Sequence, residues 1–176
     1  MTDVRVAHTA DLSPGTLAAV RQLLVAAFDG DFSDEDWDHT LGGVHAPAWS
    51  GDTLAGHAAV VQRRFVYRGR TLRTGYVEGV AVHADHRRLG IGAAVMAPVE
   101  RVIRAAYDLG ALSSSELGVR LYESRGWQRW QGPTSALTPD GVRRTEDDDG
   151  GVYVLPVTSV DLGDLLTCDW RDGDVW

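Results

Sequence analysis

One stretch of the chain decides the fold: Val77-Glu78-Gly79-Val80-Ala81-Val82, then the basic loop 83–88, then Leu89-Gly90-Ile91-Gly92-Ala93. An apolar strand ends, a loop with two arginines follows, and glycines open a long helix. The first turn of a helix leaves backbone N–H groups without intrahelical partners, and the helix dipole adds positive charge there. The stretch therefore predicts an anion site, for a phosphate above all, at the beginning of a helix.

Two other kinds of phosphate loop do not fit this stretch. A Walker loop ends in Gly-Lys-Ser/Thr, whereas all 17 positively charged residues of this chain are arginine. A Rossmann fingerprint needs three glycines, and Val95 stands where the third would follow Gly90 and Gly92. Taken alone, the glycines are also compatible with an ordinary turn that binds nothing.

Length and composition describe one globular domain. The chain has 176 residues, of which 44% are hydrophobic and 24% charged, as is typical of a folded domain. Its net charge of −8 argues against nucleic-acid binding. The single cysteine, Cys168, excludes an internal disulfide and a cysteine-based zinc site. Neither a secretory signal nor an apolar run of about 20 residues is visible, so we expect a cytoplasmic protein without a membrane partner.

The hydrophobic pattern predicts an α+β fold with a mixed central sheet in one domain, residues 1–176. Its order is a strand, two helices, three strands, a helix, a strand, a helix and two strands. Strands are expected at 4–8, 44–49, 53–67, 71–82, 111–112, 127–137 and 151–157. Helices are expected after Pro14, after Ser33, at 89–107 and at 117–124. The charged segment 138–150 is expected to be a mobile linker.

Two motifs resemble the Gcn5-related N-acetyltransferases (GNAT). Arg87-x-x-Gly90-x-Gly92 after an apolar strand resembles their acetyl-CoA pyrophosphate loop, and RLYESRGW at 120–127 resembles their helix ending in "LYxxxGF". Residues 113–116 depart from the pattern, because Ser-Ser-Ser-Glu stands where many members carry an asparagine. The resemblance implies the GNAT fold with splayed central strands, and acetyl-CoA as cosubstrate.

A closer resemblance, to the aminoglycoside 2′-N-acetyltransferases of mycobacteria and relatives, reaches from the first helices to the last residue. The segments that carry it are 30–32, 36–37, 39–43, 75–82, 111–115 and 168–176. It implies acetylation of the 2′-amino group of a polycationic aminoglycoside and a part in resistance to such drugs. It also implies a homodimer and a C-terminal tail, 158–176, that contributes to the substrate site.

Acetyl transfer to an amine needs a base, an oxyanion donor and an acid for the leaving thiolate. Glu78 is the candidate base through an ordered water, because a carboxylate in direct contact would keep the amine charged. The Val80 N–H is the candidate oxyanion donor. By resemblance Tyr122 is the candidate acid. A salt-bridged strand residue and a core tyrosine remain the plain alternatives for Glu78 and Tyr122.

The resemblance also assigns binding residues. Those expected to hold acetyl-CoA are Val80, Ala81, Val82, Arg87, Arg88, Leu89, Gly90, Ile91, Gly92 and Ala93. Those expected to bind the aminoglycoside are Asp31, Asp36, Glu78, Gly79, Ser113, Asp147, Asp148, Asp174 and Trp176, the last through its ring and its carboxylate. Asp36 could instead cap its own helix, and the run 146–149 could be an ordinary solvated loop. At most one or two of the acids in this run are expected to contact substrate.

Other candidate chemistry is weaker. His83-x-x-His86 with Asp85 has no further ligand nearby in sequence, so we expect no metal. Cys168 would be a nucleophile only beside a His–acid pair. Two other functions remain open, namely acetylation of a different amine (a cell-wall amino sugar, a polyamine or a protein N-terminus) and a non-catalytic acetyl-CoA sensor.

Overall fold

The computed structural model describes residues 2–176, which form two compact units. The first unit comprises the chain as far as Val61 together with Val77–Val102, and the second comprises Gln62–Tyr76 and Ile103–Trp176. Each unit therefore includes part of the two longest strands, Thr53–Tyr67 and Arg70–Val82, and part of the helix Ile91–Ala106. No helix of the described residues is both long and apolar enough to cross a membrane.

Two helices of the first unit begin at the predicted caps. The helix α1 (Pro14–Ala27) starts behind Ser13, whose Oγ accepts the Thr16 N–H at 3.1 Å. The helix α2 (Asp34–Thr40) starts with a reciprocal capping box at Ser33. Both caps satisfy backbone donors that the first turn of a helix leaves open.

The first unit also contains antiparallel strands around one long strand. The strands are β1 (Thr2–Val4), β2 (Ala7–His8), β3 (Val44–His45), β4 (Ala48–Ser50) and the first part of β5 (Thr53–Tyr67). β1 pairs with β4 and β2 with β3, and both β3 and β4 pair with β5. The buried face of α1, with Val20, Leu23 and Leu24, packs in a core cluster with Leu54 and Ala81. This cluster stabilises the end of the strand that carries the glycine loop.

A mixed sheet organises the second unit. Its strands are the remainders of β5 and β6 (Arg70–Val82), with β7 (Leu109–Ser113), β8 (Gln128–Arg129), β9 (Thr134–Thr138), β10 (Gly141–Arg144), β11 (Val152–Pro156) and β12 (Leu166–Asp169). Their order is β10-β9-β12-β5-β6-β7-β11-β8. The contacts β6·β7 and β9·β12 are parallel. The helices α3 (Ile91–Ala106) and α4 (Val119–Ser124) precede and follow β7 along the chain.

The α+β class and the mixed sheet are confirmed, but the C-terminal third is more ordered than predicted. The expected linker 138–150 contains β10, because Thr138-Pro139-Asp140-Gly141 makes a tight hairpin in which Gly141 has φ +111°. The expected tail 158–176 contributes β12, which pairs with β9 and β5. The prediction of a mobile linker was therefore wrong. The proline–aspartate–glycine sequence at 139–141 favours a tight turn, and this turn allows the segment to pair as a hairpin.

Two predicted strands are each divided in two. The expected strand at 4–8 forms β1 and β2, since each pairs with a different partner. The expected strand at 127–137 forms β8 and β9, separated at Gly132-Pro133. Proline has no N–H for a sheet ladder, and a Cβ at Gly132 would lie 2.0 Å from the Asp164 carbonyl oxygen. The chain therefore changes strand position at this point.

Candidate active site

The loop between β6 and α3, in the first unit, has the backbone geometry of an anion site. Arg88 and Gly90 both adopt left-handed conformations, with φ +62° and +79°. The Ala94 N–H donates to the Gly90 carbonyl at 3.0 Å. The amides of Ile91, Gly92 and Ala93 precede this bond and therefore have no intrahelical acceptor. They form the positive end of the α3 dipole.

Side chains add to this charge. Arg87 and Arg88 are exposed beside the start of α3, and Leu89 is 67% exposed between them and the helix. A Cβ at Gly90 would have no heavy atom within 4 Å, so the space over this turn is open. Exposed guanidinium groups next to free helix amides suit a diphosphate.

A glycine in β5 brings the start of α3 close to the sheet. A Cβ at Gly56 would lie 2.5 Å from Ile91 Cγ2 and 3.2 Å from the Ala81 carbonyl oxygen. Ile91 and Ala81 are themselves buried. The first residue of α3 is thus packed tightly against β5, which fixes the position of the loop that precedes it.

Glu78 and Gly79 lie in β6, where the strand is distorted. Glu78 is half-buried. Gly79 has φ +56°, a left-handed conformation that favours glycine. A Cβ there would also approach Leu24 Cδ1 to 3.1 Å and Thr40 Cγ2 to 3.3 Å. This left-handed kink in β6, called the Gly79 bulge below, is packed against side chains of α1 and α2.

The direction of the Val80 N–H follows from strand alternation. The His83 N–H donates to the Ala55 carbonyl of β5 at 2.9 Å. Amides of alternate residues point to the same side of a strand, so Ala81 also faces β5, whereas Val80 and Val82 face away from it. The Val80 amide is thus directed away from the β5 edge, as an oxyanion donor requires.

Two predicted substrate acids, Asp31 and Asp36, belong to the first unit. Asp36 caps α2, since its Oδ2 accepts the Ser33 N–H at 2.9 Å while its own N–H donates to Ser33 Oγ at 3.1 Å. The capping alternative for Asp36 is therefore confirmed. Asp31 is exposed after the left-handed pair Asp29-Gly30.

Tyr122, in the second unit, is a buried phenol on α4. It is 6% exposed and packs edge-on against Trp127, with ring centroids 6.2 Å apart. A Cβ at Gly118 would lie 2.7 Å from Tyr122 Cε2, so the glycine makes room for the ring. Burial raises the pKa of Tyr122 to about 12. The phenol therefore stays protonated at neutral pH.

A buried arginine, which the sequence reasoning missed, holds the C-terminal segment in the second unit. Arg63 is 4% exposed. Its Nε and Nη2 donate to the Oδ1 and the carbonyl of Asp169, and its Nη1 donates to the Val175 carbonyl, each at 2.8 Å. Its guanidinium carbon lies 4.8 Å from the Tyr76 ring centroid and 5.3 Å from that of Phe65. Arg63 and Phe65 are two positions apart in β5 and therefore lie on the same buried face. An arginine that alternates with apolar residues in a strand was the sequence signal for a buried ion pair.

These contacts fix Trp176. Its ring is buried and meets Phe65 edge-on at 5.2 Å, and its indole N–H donates to Thr145 Oγ1 at 2.9 Å. Its backbone N–H donates to Asp174 Oδ1 at 3.1 Å, while Arg171 donates to the Asp174 carbonyl at 2.7 Å. The tail is therefore folded back on the second unit, with Trp176 beside the acidic loop that follows Thr145.

The acids of the run 146–149 differ in their surroundings, and one of them has a structural role. Asp149 is structural, because it accepts from Arg144 Nη2 at 2.6 Å and from the Thr134 N–H at 2.9 Å, which lowers its pKa. Asp148 is half-buried, and burial followed by the charge of Asp174 raises its pKa. A cation bound beside Asp148 would offset the nearby charge of Asp174 and favour the ionised form of Asp148. Asp147 is exposed beside them.

Ser113 and Cys168 both lie in the second unit. Ser113 is exposed at the end of β7, opposite Val152. Cys168 is buried, its thiol donates to the Val175 carbonyl at 3.4 Å, and burial raises its pKa to about 11. It is therefore a packed thiol and not an activated nucleophile. Within residues 2–176, no three His, Cys, Asp or Glu side chains are grouped so that they could hold a metal ion.

Comparison with known proteins agrees with this arrangement. The sequence matches the acetyltransferase (GNAT) domain family over residues 10–130, which include parts of both units. An aminoglycoside 2′-N-acetyltransferase from Mycolicibacterium fortuitum is 54% identical over 177 residues, covering 98% of this chain and 91% of that protein.

Solved structures show the same fold at low identity. Escherichia coli ElaA has a TM-score of 0.61 at 19% identity, covering 88% of this chain and 99% of that one. The ribosomal-protein-S18-alanine N-acetyltransferase of Escherichia coli has a TM-score of 0.60 at 19% identity, covering 92% and 97%. The GNAT fold implied by the sequence resemblance is confirmed, and the chain belongs to the GNAT acetyltransferases and, within them, to the aminoglycoside 2′-N-acetyltransferase family.

Proposed function

We propose that this chain transfers the acetyl group of acetyl-CoA to the 2′-amino group of aminoglycosides. The observation that carries the proposal is the 54% identity, over 98% of the chain, to an aminoglycoside 2′-N-acetyltransferase. The bulged strand, the open helix amides and the acid-rich C-terminal segment support it. Acetylation removes one positive charge from the drug, and we expect it to contribute to resistance.

The cofactor would be held by the first unit. The amides of Ile91, Gly92 and Ala93 and the side chains of Arg87 and Arg88 are suited to the pyrophosphate. The backbone N–H groups of Val80 and Val82 face away from β5. That of Val82 is available to the pantetheine arm, whereas that of Val80 would contact the thioester carbonyl of acetyl-CoA. The remaining candidates, Ala81, Leu89 and Gly90, would shape the strand end and the turn.

Glu78 is the proposed base. An ammonium with an ordinary pKa of about 10.4 requires roughly 4.6 kcal/mol to lose its proton at pH 7, an upper value for a less basic sugar amine. A water between Glu78 and the amine lets the carboxylate accept this proton without stabilising the ammonium directly. The free amine then attacks the thioester carbonyl, and the Val80 N–H stabilises the oxyanion, an interaction generally worth about 3 kcal/mol.

Tyr122 is the proposed donor to the leaving sulfur. A phenol whose pKa is about 12 is a weaker acid than an ordinary thiol of pKa about 8.5. Complete proton transfer to the thiolate is therefore uphill by about 5 kcal/mol. The phenol acts best as a hydrogen-bond donor that stabilises the sulfur while the C–S bond breaks. The CoA thiolate then takes the second proton of the substrate nitrogen, which that nitrogen loses as it becomes the amide.

A polycationic substrate suits the acids of both units. In the second unit the charge of Asp174 acts on half-buried Asp148, and Asp147 and Ser113 are exposed. In the first unit Asp31 is exposed, and Glu78 and Gly79 lie at the bulge. Asp36 would have to bind the substrate with a carboxylate that also caps α2.

The test is release of free thiol from acetyl-CoA with tobramycin, which has a 2′-amine, and with kanamycin A, which has a 2′-hydroxyl. Rapid release with tobramycin alone supports the proposal. Equal release indicates that another amine is acetylated, and no release with either favours a different acceptor or an acetyl-CoA sensor. A homodimer and a cytoplasmic location belong to the same proposal, and light scattering during gel filtration tests the first.

A further inference from the structure

Two buried histidines in the first unit have no part in the chemistry above. His45 of β3 and His57 of β5 are both fully buried, and their ring centroids are 5.2 Å apart. His45 Nδ1 lies 3.0 Å from His57 Nε2. His57 Nδ1 lies 2.8 Å from the Gly79 carbonyl oxygen, at the bulge in β6. A histidine pair in a dry core is costly unless every nitrogen is satisfied.

The acceptor at one end fixes every proton in this chain of contacts. A carbonyl oxygen only accepts, so His57 Nδ1 carries a hydrogen and its Nε2, in the neutral ring, accepts. His45 Nδ1 must then donate to His57, which leaves His45 Nε2 as an acceptor. Burial lowers the pKa of His57 to about 3 and that of His45 to about 4, so both rings are neutral at neutral pH.

The other end closes on a loop of the same unit. Thr9 Oγ1 accepts the Gly42 N–H at 2.9 Å and has two possible acceptors, His45 Nε2 at 2.7 Å and the Gly43 carbonyl at 3.2 Å. Because His45 Nε2 carries no hydrogen and is the nearer of the two, the hydroxyl donates to His45. The hydrogen bonds therefore run in one direction, from Gly42 through Thr9, His45 and His57 to Gly79. The last group is a carbonyl, which has no proton to pass on. This series of hydrogen bonds therefore orients the side chains and the Gly79 carbonyl and does not transfer protons.

Its last acceptor belongs to the peptide group that matters for catalysis. The carbonyl of Gly79 and the N–H of Val80 are parts of one planar trans peptide, so they point in opposite directions. A donor held against the carbonyl from β5 directs the Val80 N–H away from β5. The same bond polarises the peptide and strengthens its N–H as a donor.

We propose that His57 is a positioning residue for acetyl transfer, which holds the Gly79–Val80 peptide so that its N–H faces the oxyanion, and that His45 and Thr9 fix the tautomer of His57. This inference rests on the proposed function, in which Val80 is the oxyanion donor. Glycine at position 79 allows several conformations, and the bond from His57 selects one of them.

The test uses two amides that differ in where they place the donor. In His57→Asn the amide nitrogen can occupy the position of Nδ1 and donate to Gly79, whereas in His57→Gln it reaches only the position of Nε2. We expect His57→Asn to keep kcat within about threefold and His57→Gln to lose at least about tenfold, a fraction of what complete loss of an oxyanion donor costs. KM for acetyl-CoA should change less than twofold in both.

A purely structural role predicts a different pattern. The kcat of each variant would then fall in proportion to its loss of Tm, and His57→Asn and His57→Gln would have the same kcat if their Tm values were equal. That result overturns the inference. Nitrogen-15 NMR of the wild-type protein provides a test without any variant: we expect hydrogen on Nδ1 of both His45 and His57. Hydrogen on Nε2 of His57 would contradict the inference.

These outcomes are separable from failure of the proposed function. If the wild-type protein releases no thiol with any aminoglycoside, the proposed function fails, while the NMR measurement still decides whether His57 donates to Gly79. If the wild-type protein is active and His57→Gln matches it in kcat, the inference alone fails.

Discussion

Replacing Arg63 by methionine should release the C-terminal segment. The change keeps most of the side-chain volume and removes three hydrogen bonds of 2.8 Å, two to Asp169 and one to the Val175 carbonyl. It also removes cation–π contacts with Tyr76 and Phe65. Breaking a buried ion pair generally costs about 3–5 kcal/mol. The carboxylate of Asp169 is 36% exposed and keeps the Arg64 N–H at 3.0 Å, so we expect the lower end, about 3 kcal/mol.

The assay is thermal unfolding beside a matched control. For a chain of this length, about 3 kcal/mol corresponds to a fall in Tm of about 6–12 °C. Arg64→Met is the control, since its side chain is exposed and only its backbone N–H contacts Asp169. We expect the control to lose less than about 2 °C, because exposed charges contribute little to stability.

Kinetics of the same variant test the link to the substrate. Val175 is held by Arg63 and adjoins Trp176, so KM for the aminoglycoside should rise about tenfold, equivalent to about 1.4 kcal/mol of binding free energy. KM for acetyl-CoA should stay within about twofold. An unchanged Tm, or an equal loss in Arg63→Met and Arg64→Met, would refute the reasoning about the buried contacts. An equal rise in both KM values would refute the link to the substrate.

Four further results are expected. Glu78→Gln should lower kcat about 100-fold with little change in KM for acetyl-CoA, and unchanged turnover in steady-state assays would exclude Glu78 as the base. Deleting Asp174–Trp176 should raise KM for the aminoglycoside far more than KM for acetyl-CoA, whereas equal effects would make the segment structural. Gly56→Ala should lower the free energy of unfolding by about 1–3 kcal/mol in urea titrations, because its Cβ would lie 2.5 Å from Ile91; no loss would contradict the close packing. Below about pH 6.5 the unfolded chain protonates its histidines, while His45 and His57 stay neutral until about pH 4 and about pH 3. Unfolding free energy should therefore be constant above pH 6.5 and fall by up to about 2.7 kcal/mol per pH unit towards pH 4, and a flat profile in urea titrations at each pH would contradict this.

Local patterns made much of the first unit predictable. The capping box at Ser33 and the glycine loop 87–92 each depend on residues within a few positions of one another, so spacing alone indicates them. The bulge at Gly79 could be expected because a glycine stands inside an apolar strand. The turn at 138–141 has an equally local signal, proline–aspartate–glycine, whereas the charge of the segment 138–150 by itself favours a mobile linker.

Contacts between distant residues could not be predicted from spacing. Arg63 and Asp169 are 106 positions apart, and nothing near either one in the sequence indicates the other. The same holds for the insertion of β12 between β9 and β5. His57 is a polar residue inside an apolar strand, which signals a buried partner, but the identity of that partner, Gly79, depends on how β5 and β6 are paired.

The most direct measurement of the central claim is the structure of the product. Tobramycin acetylated by the enzyme with ¹³C-acetyl-CoA, analysed by NMR, reports which nitrogen carries the new amide. We predict a single product with its acetyl group on the 2′-nitrogen. A label on any other nitrogen, or spread over several of them, would contradict the proposed regiospecificity and the substrate site argued from the acids and Trp176.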